Sequence, residues 1–189
     1  MNIQRVIDAA LELSGRLEEI GLPYCFIGGL AVQRWGEPRL TVDADVTVVS
    51  GWEHDERLVD TLLVNFSPRL PDGRTFALQH RTLLLRTSVG TALDVVLGAL
   101  PFEERSAERA SFWLLPSGRR LRTCSAEDLV VHKAFAARER DWVDIEGVLV
   151  RQGAALDIAL IHEELSPLVA LKEEPAILTR LEGMLRRFA

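Results

Sequence analysis

The sequence predicts an α+β fold, with a mixed α/β core over residues 1–123 and a helical extension over residues 124–189 packed on it. Two observations lead there. Short β-branched and apolar runs alternate with amphipathic segments as far as Thr123, and beyond it only helical periodicity remains, with no repeat or low-complexity linker between the parts. At 189 residues and 48% hydrophobic content the chain is long enough to bury a core of its own.

Taken in order, Ile3, Val6, Ile7, Ala10, Leu11, Leu13 and Leu17 recur at helical spacing, and Gly21-Leu22-Pro23 stops that helix. Residues 24–27 (YCFI) read as a buried strand that ends at Gly28-Gly29, and residues 30–35 as the first turns of a helix. Residues 41–49 (TVDADVTVV) form a second, β-branched strand. Residues 51–65 read as a helix through Leu58, Val59, Leu62 and Leu63, and Pro68, Pro71, Asp72 and Gly73 as a loop. Residues 75–78 and 81–86 are short strand candidates, and residues 91–97 (TALDVVL) a stronger one. Ser125 with Asp128 has the capping-box pattern that opens a helix, while Asp141 and Asp144 suit the cap and third position of the next one, through Val143, Val148 and Leu149. From residue 151 on the pattern is helical, punctuated by Pro167 and Pro175.

A net charge of −6 argues against a protein that coats nucleic acid non-specifically, because that binding needs a positive field; a local basic patch stays open. No apolar run is long enough to span a bilayer and the N-terminal stretch is not a secretion signal, so a cytoplasmic protein without a membrane partner is expected. Cys25 and Cys124 lie in or beside strands without metal-ligand spacing and read as buried thiols. The four histidines share no motif. Arg119, Arg120 and Arg122 read as a solvated face, with an acceptor-binding patch as the alternative.

Chemistry concentrates between Tyr24 and Val49. A strand that feeds a helix through Gly28-Gly29 presents free backbone N–H groups at a positive helix end, which suits a phosphate; a plain tight turn needs the same residues. In the second strand the side chains alternate, so Asp43, Asp45 and Thr47 share one face and Val42, Ala44, Val46 and Val48 the other. Like charges about 6 to 7 Å apart along a strand repel unless something neutralises them. A hard divalent cation does this, and magnesium completes its shell with substrate phosphate oxygens. Asp94 is the third acid out of place, in a strand that otherwise reads as core. Three acids on two strands of one sheet are able to converge on the same pair of ions, with Asp94 as a metal ligand or as proton acceptor for an attacking hydroxyl. Only Lys133 and Lys172 among the 22 basic residues are lysines, and Lys133 shares a helical stripe with Ala126, Val130, Ala137 and Arg140. A lysine at that apolar boundary either snorkels out or meets an anion.

The ordered set Gly28-Gly29, Arg39-x-Thr41-x-Asp43-x-Asp45 and Asp94 resembles the active-site signature of the nucleotidyltransferase superfamily with the DNA polymerase beta fold, over residues 22–97. Residues 123–150, with Lys133, Asp141 and Asp144, are similar to the segment after the catalytic core in AbiEii-like toxin nucleotidyltransferases. The resemblance implies a mixed-sheet nucleotidyltransferase core with a C-terminal helical extension. It implies Asp43, Asp45 and Asp94 as catalytic and Mg2+-binding residues, and Gly28, Gly29, Lys133 and Asp144 as nucleotide-binding ones. One departure is Gly29, where many members carry serine, so the phosphate turn lacks a hydroxyl and relies on backbone. The implied reaction moves a nucleoside monophosphate from a nucleoside triphosphate to a hydroxyl on RNA or protein. It would be run by the toxin of a toxin-antitoxin pair, with an antitoxin protein as partner. The alternatives are a small-molecule, antibiotic-type acceptor, or a catalytically weak nucleotide-binding or interaction domain.

Overall fold

The computed structural model describes residues 3–188. The chain divides into two compact units, one made of residues 1–30 and 40–124, the other of residues 31–39 and 125–189.

The first unit is built on a seven-stranded mixed sheet. Its strands are β1 (Tyr24–Phe26), β2 (Asp43–Val49), β3 (Ser67–Pro68), β4 (Thr82–Arg86), β5 (Ala92–Gly98), β6 (Ser111–Leu114) and β7 (Arg120–Thr123). They lie in the order β3-β4-β5-β2-β1-β7-β6. The central pair β2 and β5 is parallel, as are β1 and β7; the other neighbours run antiparallel. Helix α1 (Ile3–Ile20) and helix α3 (Asp55–Asn65) supply Val6, Ala10, Leu13, Leu17, Leu58 and Leu62 to one core. From the sheet, Phe26, Ala44, Val46, Val48, Leu93, Val95 and Leu97 fill the same core. These sheet residues are every second residue of their strands, so the intervening ones, Asp43, Asp45, Asp94 and Cys25 among them, face the other way. Helix α5 (Pro101–Arg109) approaches from that second face, where Ser106 Oγ lies 3.8 Å from Cys25 Sγ. Both cysteines are free and buried.

The second unit is helical: α6 (Ala126–Ala136), α7 (Glu139–Gln152), α8 (Ile158–Lys172) and α9 (Ala176–Phe188). The unit boundary runs through α2 (Gly28–Trp35), whose residues from Ala31 on belong here. Arg151 donates to the Gly36 carbonyl and Gln152 to that of Trp35 at 2.7 Å, which ties residues 35 and 36 to the end of α7. Ser125 caps α6 as its pattern predicts, accepting from the Asp128 N–H at 3.0 Å. No helix among the described residues is long and apolar enough to cross a membrane.

Three expectations on local structure are corrected. Residues 75–78 are not a strand but the middle of helix α4 (Gly73–His80). The aromatic and β-branched content of TFAL is overridden by packing at helical spacing: Ala77 is fully buried, and the rings of Phe76 and His80, one turn apart, meet at a tilt with centroids 4.4 Å apart. Pro167 does not interrupt the chain but lies inside α8. Its ring sits on the exposed side, while Leu165, Leu168 and Val169 anchor the buried side. Asp141, not Asp144, is the third residue of α7, and its carboxylate accepts from the Arg138 N–H at 3.3 Å; Asp144 stands one turn further in.

Candidate active site

The parallel pairing of β2 with β5 sets Asp45 directly beside Asp94 and Asp43 beside Ala92. Registered neighbours in a sheet point to the same face, so the three acids share it. One carboxylate oxygen from each of Asp43, Asp45 and Asp94 lies within 4.8 Å of the other two, and all three side chains are half-buried. Burial pushes the Asp94 carboxyl above the ordinary carboxylate range; the charge of Arg69 opposes this and that of Asp43 adds to it.

The glycine turn closes one side of the cluster. Helix α2 starts at Gly28, two residues earlier than its sequence pattern suggests, so the first N–H groups of the helix belong to the glycine pair. Gly28 has φ +56, and a Cβ there would stand 2.0 Å from Asp45 Oδ2. Only a residue without a side chain lets this backbone lie against that carboxylate. At Gly29 a Cβ would meet Thr41 Oγ1 at 2.2 Å. The departure from serine thus has a physical counterpart, because the threonine side chain fills the space a side chain at 29 would need. Thr41 is 4% exposed, and its hydroxyl donates to the Asp43 carbonyl at 3.2 Å and to Asp43 Oδ1 at 3.4 Å, which fixes the first acid.

Arg69 is a member of this site that the sequence does not reveal. Its backbone N–H donates to the Leu84 carbonyl at 2.9 Å, and Leu84 is the β4 residue registered with Asp94. That anchor brings the guanidinium onto the third acid, where Arg69 Nη2 donates to Asp94 Oδ1. A residue 25 positions upstream of its partner, in a proline-bounded loop, carries no periodic signal.

Lys133 and Asp144 meet each other in the second unit. Lys133 Nζ lies 2.8 Å from Asp141 Oδ1 and 2.8 Å from Asp144 Oδ2. The anion that this boundary lysine meets is therefore a pair of α7 carboxylates. Arg39 grips Asp144 with two donors, Nε to Oδ1 at 2.5 Å and Nη2 to Oδ2 at 2.7 Å. Burial would raise the Asp144 carboxyl, but the bonds from Arg39 and Lys133 outweigh it and hold it below the ordinary value. Arg39 is the further residue here; its place just ahead of Thr41 in the signature was the signal for it.

Residues 16–182 match the family described as nucleotidyl transferase AbiEii toxin, Type IV TA system. Among solved structures, the solution structure of the antibiotic-resistance factor ANT(2'')-Ia is similar over 97% of this chain and 99% of its own, with 16% identity and a TM-score of 0.54. A crystal structure of an antigenic nucleotidyltransferase-like protein from Paracoccidioides brasiliensis covers 97% of this chain and 91% of its own at 16% identity and TM-score 0.49. The lincomycin-bound lincosamide antibiotic adenylyltransferase LnuA covers 76% and 94% at 15% identity and TM-score 0.49. No curated protein sequence matches the chain. At 16% identity the likeness to ANT(2'')-Ia is one of fold, the α+β nucleotidyltransferase fold with its mixed sheet.

Proposed function

The chain belongs to the AbiEii nucleotidyltransferase family, and from that premise we propose that it is a magnesium-dependent enzyme that transfers a nucleoside monophosphate from a nucleoside triphosphate to a hydroxyl of RNA or protein. The family description supports a toxin role, with an antitoxin protein as the partner that counteracts it. The observation that carries the chemical reading is the gathering of Asp43, Asp45 and Asp94 within 4.8 Å on one sheet face.

The donor set fits a hard divalent cation, since it offers carboxylate oxygens alone, half-buried, with like charges that a cation relieves. Asp43, Asp45 and Asp94 would hold it. When bound, magnesium would withdraw charge from the phosphate oxygens and favour in-line displacement. The N–H groups of Gly28 and Gly29 bind a phosphate at the positive end of α2, and Thr41 keeps Asp43 oriented. Asp94 either completes the metal site or, left off the metal, takes the proton of the attacking hydroxyl. The acceptor oxygen then bonds to the α-phosphorus, the bond from that phosphorus to the β-bridging oxygen breaks, and pyrophosphate leaves. The proposal extends to Lys133 and Asp144 as nucleotide-binding residues, with the ammonium keeping both carboxylates and offering its third donor to a phosphate.

The test is transfer of label from each nucleoside triphosphate to total RNA, protein or small alcohols, together with a metal-dependent thermal shift. At a free metal concentration near 100 times Kd, binding stabilises by about 2.7 kcal/mol, a rise of roughly 5 to 10 °C for a chain of this size. Wild type should show both the shift and a labelled product, and Asp43→Asn neither. A shift of equal size in the two proteins would refute the metal assignment.

A further inference from the structure

Arg69 raises a question that the proposed mechanism does not answer, namely what its guanidinium does once a cation occupies the acid cluster. Its main chain is fixed by the bond to Leu84 and by the pairing of β3 with β4 just before it. Its side chain is 27% exposed and that of Asp94 25%, so both border the open side of the site. A settled arginine-carboxylate pair is commonly bidentate, with two parallel donors on two oxygens. This one is not. Only Nη2 reaches Asp94, and Nε is buried without any hydrogen-bond partner.

We propose that Arg69 is an exchangeable counter-ion, neutralising Asp94 while no metal is bound and passing to the phosphates of the nucleotide when the metal arrives. The inference rests on the metal reading above and deepens it. A divalent cation on Asp94 removes the attraction that holds the guanidinium there and replaces it with repulsion. The anchored backbone keeps the side chain from leaving. The negative charge that enters with the metal is the polyphosphate, and a planar fork with an unused Nε matches a phosphate in a way that a lysine would not. Arg69 would thus be a positioning residue for the leaving pyrophosphate, and its two states predict effects of opposite sign.

Manganese binding followed by electron paramagnetic resonance tests this on wild type, Arg69→Met and Arg69→Lys, first with Mn2+ alone and then with inorganic pyrophosphate, which avoids any choice of base. Removing the competing charge should tighten Mn2+ alone by about tenfold and weaken pyrophosphate in the presence of Mn2+ by about as much. Arg69→Lys keeps the charge but not the fork, so Mn2+ affinity should stay near wild type while pyrophosphate affinity falls; this arm carries the test if Arg69→Met does not fold. Wild type that binds Mn2+ no more weakly than Arg69→Met would overturn the counter-ion state. Unchanged pyrophosphate affinity in the folded variants would overturn the hand-over. No Mn2+ binding by any of the three proteins would overturn the metal reading and this inference with it.

Discussion

Replacing Gly28 by alanine tests how tightly the turn is built against the acids. At φ +56 an L-residue occupies the left-handed region, which costs about 1 to 2 kcal/mol. The added Cβ would lie 2.0, 2.6 and 2.9 Å from Oδ2, Cγ and Cβ of Asp45, so the aspartate must swing away or the turn must open. Overpacking of this kind costs about 1 to 3 kcal/mol more. Gly118 provides the control, since it has φ +78 and nothing within 4 Å of its Cβ position, so alanine there carries the conformational part alone. Urea unfolding should therefore show Gly28→Ala destabilised by roughly 2 to 5 kcal/mol and Gly118→Ala by roughly 1 to 2. Mn2+ titration should show weakened binding in the first variant and none of that loss in the second. Equal stability losses in the two variants, with metal affinity intact in both, would refute the close approach of the glycine backbone to Asp45.

Two further outcomes concern the second unit. Lys133→Met leaves Asp141 and Asp144, 5% and 4% exposed, without their shared cation, and should destabilise the fold by about 3 to 5 kcal/mol, with Lys133→Met/Asp141→Asn recovering most of it in thermal melts. His132 is pushed down from 6.5 to about 4 by burial, an effect to which Lys133 adds and which Asp128 opposes. Between those values the unfolded chain holds a proton that the folded one does not, so stability is full above 6.5 and falls as pH drops toward about 4. Stability measured against pH should show that slope in wild type and lose it in His132→Gln. Asp144 acts in a separate window: its folded value lies below 3.8, so its contribution stands above 3.8 and disappears only as pH falls further.

What the sequence discloses follows the range of the interactions involved. Alternation within a single strand is local, so the shared face of Asp43 and Asp45 on β2 could be read directly, and so could the burial of Leu93 and Val95 around Asp94 on β5. The side-by-side placement of Asp45 and Asp94 depends on strand order and register, and it came from the resemblance rather than from periodicity. Strand β6, with Phe112 and Leu114 exposed, lacks a buried stripe and left no pattern to read. Helix α4 was misread because four residues of mixed propensity do not decide between strand and helix without their neighbours. Arg69 was out of reach altogether, since its partner is set by the pairing of β3, β4 and β5.

Arg69 and Lys133 use the same interaction, a cation placed among carboxylates, and the difference in their surroundings sets what each is able to do. Lys133 is 9% exposed, bonded to two carboxylates at 2.8 Å, one of which is gripped again by Arg39. Removing any member strands a buried charge, so the network resists exchange and holds α6, α7 and Arg39 in fixed register. Arg69 has one bond, an idle donor and a partly open side chain. Less is lost when that bond breaks, because both side chains are partly open to solvent. A site that must admit a cation needs its own counter-charge to be of the second kind. For the same reason Lys133→Met should register mainly in stability, and Arg69→Met mainly in ligand affinity.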